Sequence, residues 1–249
     1  PGLRLVIPRL VVLATSCFDE FMSANGLHDV VHRDPGTDPA AHDRLIRDAF
    51  LAAELPAPVV EDLELFLRSC KGRPLAIRSS SLLEDAVYHP FAGVYETLML
   101  AGDVREAETR EIYRLERLAR AVKLVYASTY YAQVKDYVRA TLLAQKHLEE
   151  EKMAVVIQEV AGRDFGSHFF PEVSGVARSF HVYATDDDPS DGVVDLAFGL
   201  GRTVVEGEPT ISYSPGRPEV IASMGTADDW LTRSQTRFWA LRRRSASAA

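Results

Sequence analysis

Leu75-Ala76-Ile77-Arg78-Ser79-Ser80-Ser81-Leu82-Leu83-Glu84-Asp85, continued by Pro90-Phe91-Ala92-Gly93-Val94-Tyr95-Glu96-Thr97, is the stretch on which the reading of this chain turns. Pro74 to Arg78 reads as a short apolar strand, Ser79 to Pro90 as a polar loop, and Val94 to Leu100 alternates as a second strand. Together they predict a hairpin with a long, structured tip, a feature uncommon unless the tip has a function. An arginine ending an apolar strand holds a guanidinium at the rim of a sheet, where it can fork onto phosphate oxygens. Ser79, Ser80 and Ser81 add hydroxyls and backbone N–H groups, and Gly93 lets a backbone approach a ligand without a Cβ between them. A purely structural role fits the same residues: Arg78 paired with Glu84 or Asp85, stapling the hairpin. Residue chemistry alone leaves both open.

Upstream of the hairpin, Leu10 to Ala14 reads as a buried strand, followed by a short helix capped by Thr15 or Ser16 and ending at Asn25-Gly26. His28 to Pro39 is loop-like, with Asp34-Pro35-Gly36 as its turn. Ala40 to Leu55 and Ala57 to Ser69 have helical periodicity. Downstream, Arg105 to Lys146 predicts two helices in series with a break near Ala127-Ser128, their tyrosines Tyr126, Tyr130, Tyr131 and Tyr137 packing in core and interface. Glu149-Glu150-Glu151-Lys152 reads as a solvated end. Met153 to Val160, Gly175 to Ala184, Val193 to Phe198 and Ile211 to Tyr213 follow as strands, Thr226 to Leu241 as a helix. Strands and helices do not alternate throughout, so the pattern is α+β rather than a doubly wound sheet. The expected divisions are 1–101, 102–241, and a disordered tail over 242–249.

The 249 residues are 47% hydrophobic and 26% charged, enough for a substantial core, and the net charge of -8 argues against a nucleic-acid face. An acidic balance still permits a nucleotide, because a few placed cations and N–H groups hold phosphates locally. The two cysteines, Cys17 and Cys70, read as buried thiols of a reducing cytoplasm. No apolar run has the length of a membrane span. The chain starts at Pro1 rather than Met, which reads as processing or truncation.

Several sites are excluded. There is no P-loop motif. Gly199-Leu200-Gly201-Arg202-Thr203-Val204 imitates a dinucleotide fingerprint, but it lacks the third glycine and its surroundings read as strand–turn–strand. The seven histidines show no metal-ligand spacing and read as surface or loop residues. Asp186-Asp187-Asp188 reads as a solvated turn rather than a metal loop.

The hairpin resembles the signature of the phosphoenolpyruvate synthase and pyruvate phosphate dikinase family, in which Arg-Ser-Ser and Glu-Asp are followed by Phe-Ala-Gly and a threonine. Further segments agree in order. Val6-Ile7-Pro8 to Leu27 is similar to the family's early strand–helix segment. Met153-Ala154-Val155-Val156-Ile157-Gln158-Glu159-Val160 looks like its strand leading into the adenine hinge. Ser174-Gly175-Val176-Ala177 and Phe198-Gly199-Leu200-Gly201-Arg202-Thr203-Val204-Val205-Glu206-Gly207-Glu208 look like its later elements.

The resemblance implies an ATP-grasp-like fold, with mixed and antiparallel sheets and flanking helices in two subdomains. It implies ATP and Mg²⁺ as ligands, and Arg78 as the catalytic residue, in contact with ATP phosphates. Gly93 and Thr97 would lie beside the nucleotide. Gln158 would face the adenine, whose purine edge suits an amide that both donates and accepts, and the main chain at Glu159 and Val160 would supply the remaining adenine hydrogen bonds. The implied reaction is ATP-dependent phosphorylation of a histidine in a separate domain of the parent enzyme, en route to pyruvate. Rifamycin phosphotransferases and glucan, water dikinases share the same nucleotide half, and a non-catalytic nucleotide-sensing module is the competing class. The family's Gly-Gly-Lys lysine has no counterpart after Pro1, and metal ligands stay unassigned. Gln235-Thr236-Arg237 imitates the family's closing Gln-x-Arg but falls on an expected helix face, so it reads as accidental.

Overall fold

Alternation of buried and open positions along Ala154 to Glu159 makes this segment the centre of a sheet, one face turned into a core and the other outward. The computed structural model describes residues 4–33, 38–84, 94–102, 107–140, 151–182, 188–218 and 226–243, with the backbone alone for 107–111 and 137–140. It is α+β, and every described strand pair is antiparallel.

The chain divides into two compact units, one running to Val160 and one from Ala161 to Arg243. This boundary replaces the one expected at 101–102. In the first unit, strand β1 (Leu10–Leu13) leads into helix α1 (Thr15–Ala24), short helix α2 (His28–Val31), α3 (Pro39–Ala52) and α4 (Ala57–Ser69). Strands β2 (Leu75–Ser80) and β3 (Thr97–Leu100) form the hairpin, followed by α5 (Ala107–Ser128), α6 (Ala132–Ala140) and β4 (Ala154–Glu159). The sheet order is β1-β4-β2-β3. Helix α5 packs on α3, α4 and the strands β2, β3 and β4. Its apolar stripe is thus part of the same core as the hairpin, which is why no boundary falls between them.

That core joins the inward residues Leu13, Leu75, Ile77, Leu100, Val155 and Ile157 to Phe18, Phe21, Ile46, Phe50, Leu63 and Tyr126 from the helices. Each helix presents these residues at helical spacing, so burying one face of each helix against one face of the sheet removes both apolar surfaces from water. Several local expectations change. Ala14, not Thr15 or Ser16, occupies the N-cap of α1, with no side-chain cap. Part of the expected 28–39 loop is α2, because Leu27 and Val31 bury together four residues apart. His42 is buried rather than exposed, its Nε2 within 3.3 Å of the Tyr130 carbonyl and 3.2 Å of Lys135 Nζ. Cys70 is buried, and desolvation pushes its thiol up, whereas Cys17 is half-buried. The break after α5 is held by another helix: Asp43 Oδ1 accepts the Ala132 N–H at 2.8 Å.

The second unit holds two three-stranded sheets. Strands β5 (Arg163–Asp164), β6 (His168–Phe170), β7 (Ser174–Arg178), β8 (Val193–Ala197) and β9 (Ile211–Tyr213) are joined by helices α7 (Arg202–Val205) and α8 (Ala227–Arg233), then β10 (Leu241–Arg242). Their orders are β10-β6-β5 and β7-β8-β9. The helix expected to reach Leu241 stops at Arg233, and the expected tail begins inside β10, which pairs with β6.

Candidate nucleotide-binding site

Residues paired directly across antiparallel strands point to the same face. The register therefore places two rows on the outer face of the first unit's sheet. One row is Leu10, Gln158, Ala76 and Met99; the next is Val12, Val156, Arg78 and Thr97. Leu10, Val12 and Met99 are open to solvent at 46%, 49% and 38%. The neighbours on each strand, Val155, Ile157, Leu75 and Ile77, are fully buried on the opposite face. Three of the expected nucleotide residues, distant in sequence, thus share one surface. Strands lie about 4.8 Å apart and alternate residues about 6.8 Å apart, so Arg78 sits one strand and one row from Gln158. A guanidinium on a long stem at that offset can address a phosphate while Gln158 addresses a base.

Arg78 is exposed, and no described carboxylate pairs with it. The stapling role expected of Glu84 is real but has another partner. Glu84 Oε1 accepts from Ser79 Oγ at 2.8 Å and its Oε2 from the Ser81 N–H at 3.1 Å. Ser79 alternates inward from Arg78, so the carboxylate holds the loop from the face away from the guanidinium. Asp85, the other expected partner, and Gly93 lie outside the described residues. Thr97 stands directly across from Arg78.

At the far end of β4, Gln158 carries its side chain on the open face while Glu159 turns inward and is 7% exposed. Glu159 meets Arg9 Nε at 3.3 Å, and the same arginine reaches the Ser69 carbonyl at the end of α4. The backbone N–H of Glu159 donates to Arg9 O and that of Val160 to Pro74 O, both at 2.9 Å. Those two donors are engaged within the sheet, so a base at this end would have to use the carbonyl oxygens of Glu159 and Val160.

The matched segments of the second unit are held locally. Gly199 has φ +85, and a Cβ there would lie 2.8 Å from Trp239 O. Arg202 stacks 4.1 Å over the Trp239 ring and pairs with Glu206 at 2.6 Å. Gln235 is not on a helix: its Oε1 accepts the Phe198 N–H at 2.8 Å, and its Nε2 donates to Phe198 O and Arg237 O. Its amide staples two backbone segments, and the helix face that makes Gln235-Thr236-Arg237 read as accidental does not form. Asp229 closes a capping box with Thr226, whose hydrogen bonds hold the carboxyl below its ordinary range. Asp188 caps the 3₁₀ turn at Pro189–Asp191 through Ser190. A cavity of ≈ 360 Å³ in this unit is walled by Phe165, His168, Phe170, Phe238, Trp239 and Ala240, and none of the expected nucleotide residues lines it.

Among the described residues no three His, Cys, Asp or Glu side chains converge to hold a metal, and no helix is long and apolar enough to cross a membrane. Sequence reading missed the apolar platform of Leu10, Val12, Val156 and Met99, because β1 and β4 are continuous apolar runs that do not show which residues face outward. It also missed Glu151, which is 5% exposed rather than solvated. Nothing in the local sequence of an acidic run signals that Glu151 is buried.

A prodigiosin synthesizing transferase, PigC, of Serratia marcescens is 32% identical over 171 residues, covering 66% of this chain and 16% of that protein. A rifampicin phosphotransferase of Bacillus cereus is 27% identical over 168 residues, covering 65% of this chain and again 16% of the relative. The chain thus spans about one sixth of these relatives (16% of each). Over residues 2–230 it matches the family described as pyruvate phosphate dikinase, AMP/ATP-binding domain. With that match covering nearly the whole sequence, the chain belongs to the pyruvate phosphate dikinase AMP/ATP-binding domain family.

Proposed function

We propose that the outer face of the first unit's sheet binds the nucleotide, and that the chain is the ATP-binding part of a phosphotransferase with an ATP-grasp-like architecture. The observation that carries this reading is the register that gathers Arg78, Thr97 and Gln158 on one open, partly apolar face. The base lies against Leu10, with its edge toward the neighbouring Gln158. The phosphates run toward Arg78 and Thr97, with Gly93 as a further contact. Arg78 acts as the catalytic cation, neutralising charge on the phosphates as the terminal phosphoryl group departs. Glu159 and Val160 contribute through the main chain alone.

Mg²⁺ is generally held by one or two carboxylates together with the nucleotide's own phosphates. The described residues offer no ready cluster for it, so no step is assigned to the metal here. The phosphoryl group passes to a histidine in a separate domain of a longer protein and from there to an acceptor. Pyruvate is the acceptor implied by the family's name. A second reading, a small natural product as acceptor, is favoured by the names of both relatives, which refer to prodigiosin synthesis and rifampicin.

Titration calorimetry tests the site. Arg78→Ala should weaken ATP binding on the order of tenfold or more, the scale of a lost charge-assisted contact, and leave adenosine nearly unchanged. An equal loss for the two ligands would remove the phosphate role from Arg78.

A further inference from the structure

Glu151 lies in an acidic run that ought to be solvated, yet it is 5% exposed. Removing a carboxyl from water costs several kcal/mol unless donors replace the lost hydration. One donor stands at hydrogen-bond distance, the Tyr95 hydroxyl at 3.3 Å from Oε1, and the Ser81 hydroxyl and the Leu83 N–H lie near enough to favour the charged carboxyl. They come from both sides of the 85–93 segment, Ser81 and Leu83 before it and Tyr95 after it. Tyr95 is itself only 4% exposed. One side chain at the foot of β4 therefore ties together the two ends of the hairpin's tip.

Neighbouring contacts extend the tie. Glu84 binds Ser79 and Ser81. The Glu96 N–H donates to Ser128 Oγ at 3.2 Å, and Ser128 Oγ donates to Val125 O at 2.7 Å, near the end of α5. Arg78 lies three residues before the anchored Ser81, and Thr97 two residues after the anchored Tyr95. Thr97 is thus the first residue of β3 beyond the clamp, and on β2 only Ser79 and the outward-facing Ser80 separate Arg78 from it.

We infer that Glu151 is a positioning residue, clamping the base of the hairpin tip from beneath so that Arg78 and Thr97 meet the phosphates of a bound nucleotide in a fixed geometry. This rests on the nucleotide-site reading above. Glu151 faces the core and does not touch the ligand. An apolar residue of similar volume would fill the space, whereas the carboxyl fixes direction through its hydrogen bond from Tyr95 and the nearby Ser81 and Leu83 donors. Its loss should therefore be felt by the phosphate end of a ligand and not by the base.

Glu151→Gln in the full chain tests this, because the amide keeps the volume but opposes one of the donors with its NH₂ group. Hydrogen exchange of the Ser81–Glu84 and Val94–Glu96 amides should accelerate on the order of tenfold, as one anchoring hydrogen bond is lost, while β8 and β9 are unchanged. In calorimetry the Kd for ATP should rise about tenfold and that for adenosine should change less than about twofold. Tyr95→Phe, which removes one donor and leaves the carboxyl, should shift both readouts in the same sense by less. It carries the same test should Glu151→Gln fail to fold. Accelerated exchange with unchanged ATP affinity would assign Glu151 to stability alone, and unchanged exchange would remove the clamp. A wild-type chain that binds adenosine and ATP equally weakly would overturn the site reading first, and this inference with it.

Discussion

The two units of this chain are built on different amounts of buried surface. In the first, helices and one face of a four-stranded sheet share a core in which Phe21, Ile46, Phe50, Leu63, Leu75 and Ile157 are fully buried. In the second, the described buried apolar side chains are Phe169, Phe170, Val193, Ala197 and Leu200. Its organisation rests instead on a half-open aromatic cluster, on glycines at close backbone contacts and on side chains such as Gln235 that bond to backbone. The first unit is thus a well-packed platform with exposed residues on the outer face of its sheet. The second takes its shape from local contacts.

The largest test of this contrast compares two phenylalanines. Phe50 is fully buried and lies 5.8 Å from the Phe21 ring and 5.9 Å from Tyr130. Phe50→Ala should cost roughly 3–5 kcal/mol. Phe198, 46% exposed and edge-on to Phe238 at 4.8 Å, should cost only about 1 kcal/mol on truncation to Ala. Urea denaturation of both variants decides; comparable losses would mean that the second unit is as tightly cored as the first.

A smaller effect is expected at two glycines with positive φ. Gly199 (φ +85) has Trp239 O and Phe238 Cδ2 each 2.8 Å from where a Cβ would stand. Gly26 (φ +60) has open space there. Gly199→Ala should cost roughly 2–3 kcal/mol, combining strain and clash. Gly26→Ala should cost about 1 kcal/mol from backbone strain alone. If thermal unfolding ranks them in the opposite order, the close packing of the Phe198–Gly201 turn on Trp239 is misread.

The smallest effect sharpens the picture of the platform. Burial pushes the Glu151 carboxyl above its ordinary 4.5, and the nearby Glu84 charge adds to the shift, while hydrogen bonds from Ser81, Leu83 and Tyr95 oppose it. A raised carboxyl favours the protonated form in the fold. Its contribution is full below the ordinary value and is lost as pH rises through the raised one. The wild type's stability relative to Glu151→Gln should therefore fall as pH rises from about 4.5 upward. A difference that stays constant over that range would show that the carboxyl does not titrate as its burial requires.

Much of the first unit was readable because its signals are periodic. Helix α4 spans Ala57–Ser69 as expected, and β4 and β1 fall on the short apolar runs where strands were expected. The second unit was read less well. Strands β5 and β6 were missed, being short and without alternation, and α8 was overrun. There Trp230, Leu231, Phe238 and Leu241 mimic a helical face, but Trp230 and Leu231 stay exposed at 45% and 82%, and the chain leaves the helix to pair with β6. Short elements held by non-local contacts leave little local pattern to read.

By itself the amino-acid sequence determined the α+β class, the hairpin around Arg78, the strand carrying Gln158 and the family to which the chain belongs, because these depend on residue order and local periodicity. Only the tertiary structure decided which residues share a surface. Strand register set Arg78 beside Thr97 and one row from Gln158, and a change of one residue would have turned each of them into the core. Burial, too, is a property of the assembled fold. It closed Tyr95, Ser81 and Leu83 around the Glu151 carboxyl while the adjacent Lys152 stays exposed beside Asp19, and it turned Glu159 inward onto Arg9 while leaving Gln158 on the open face.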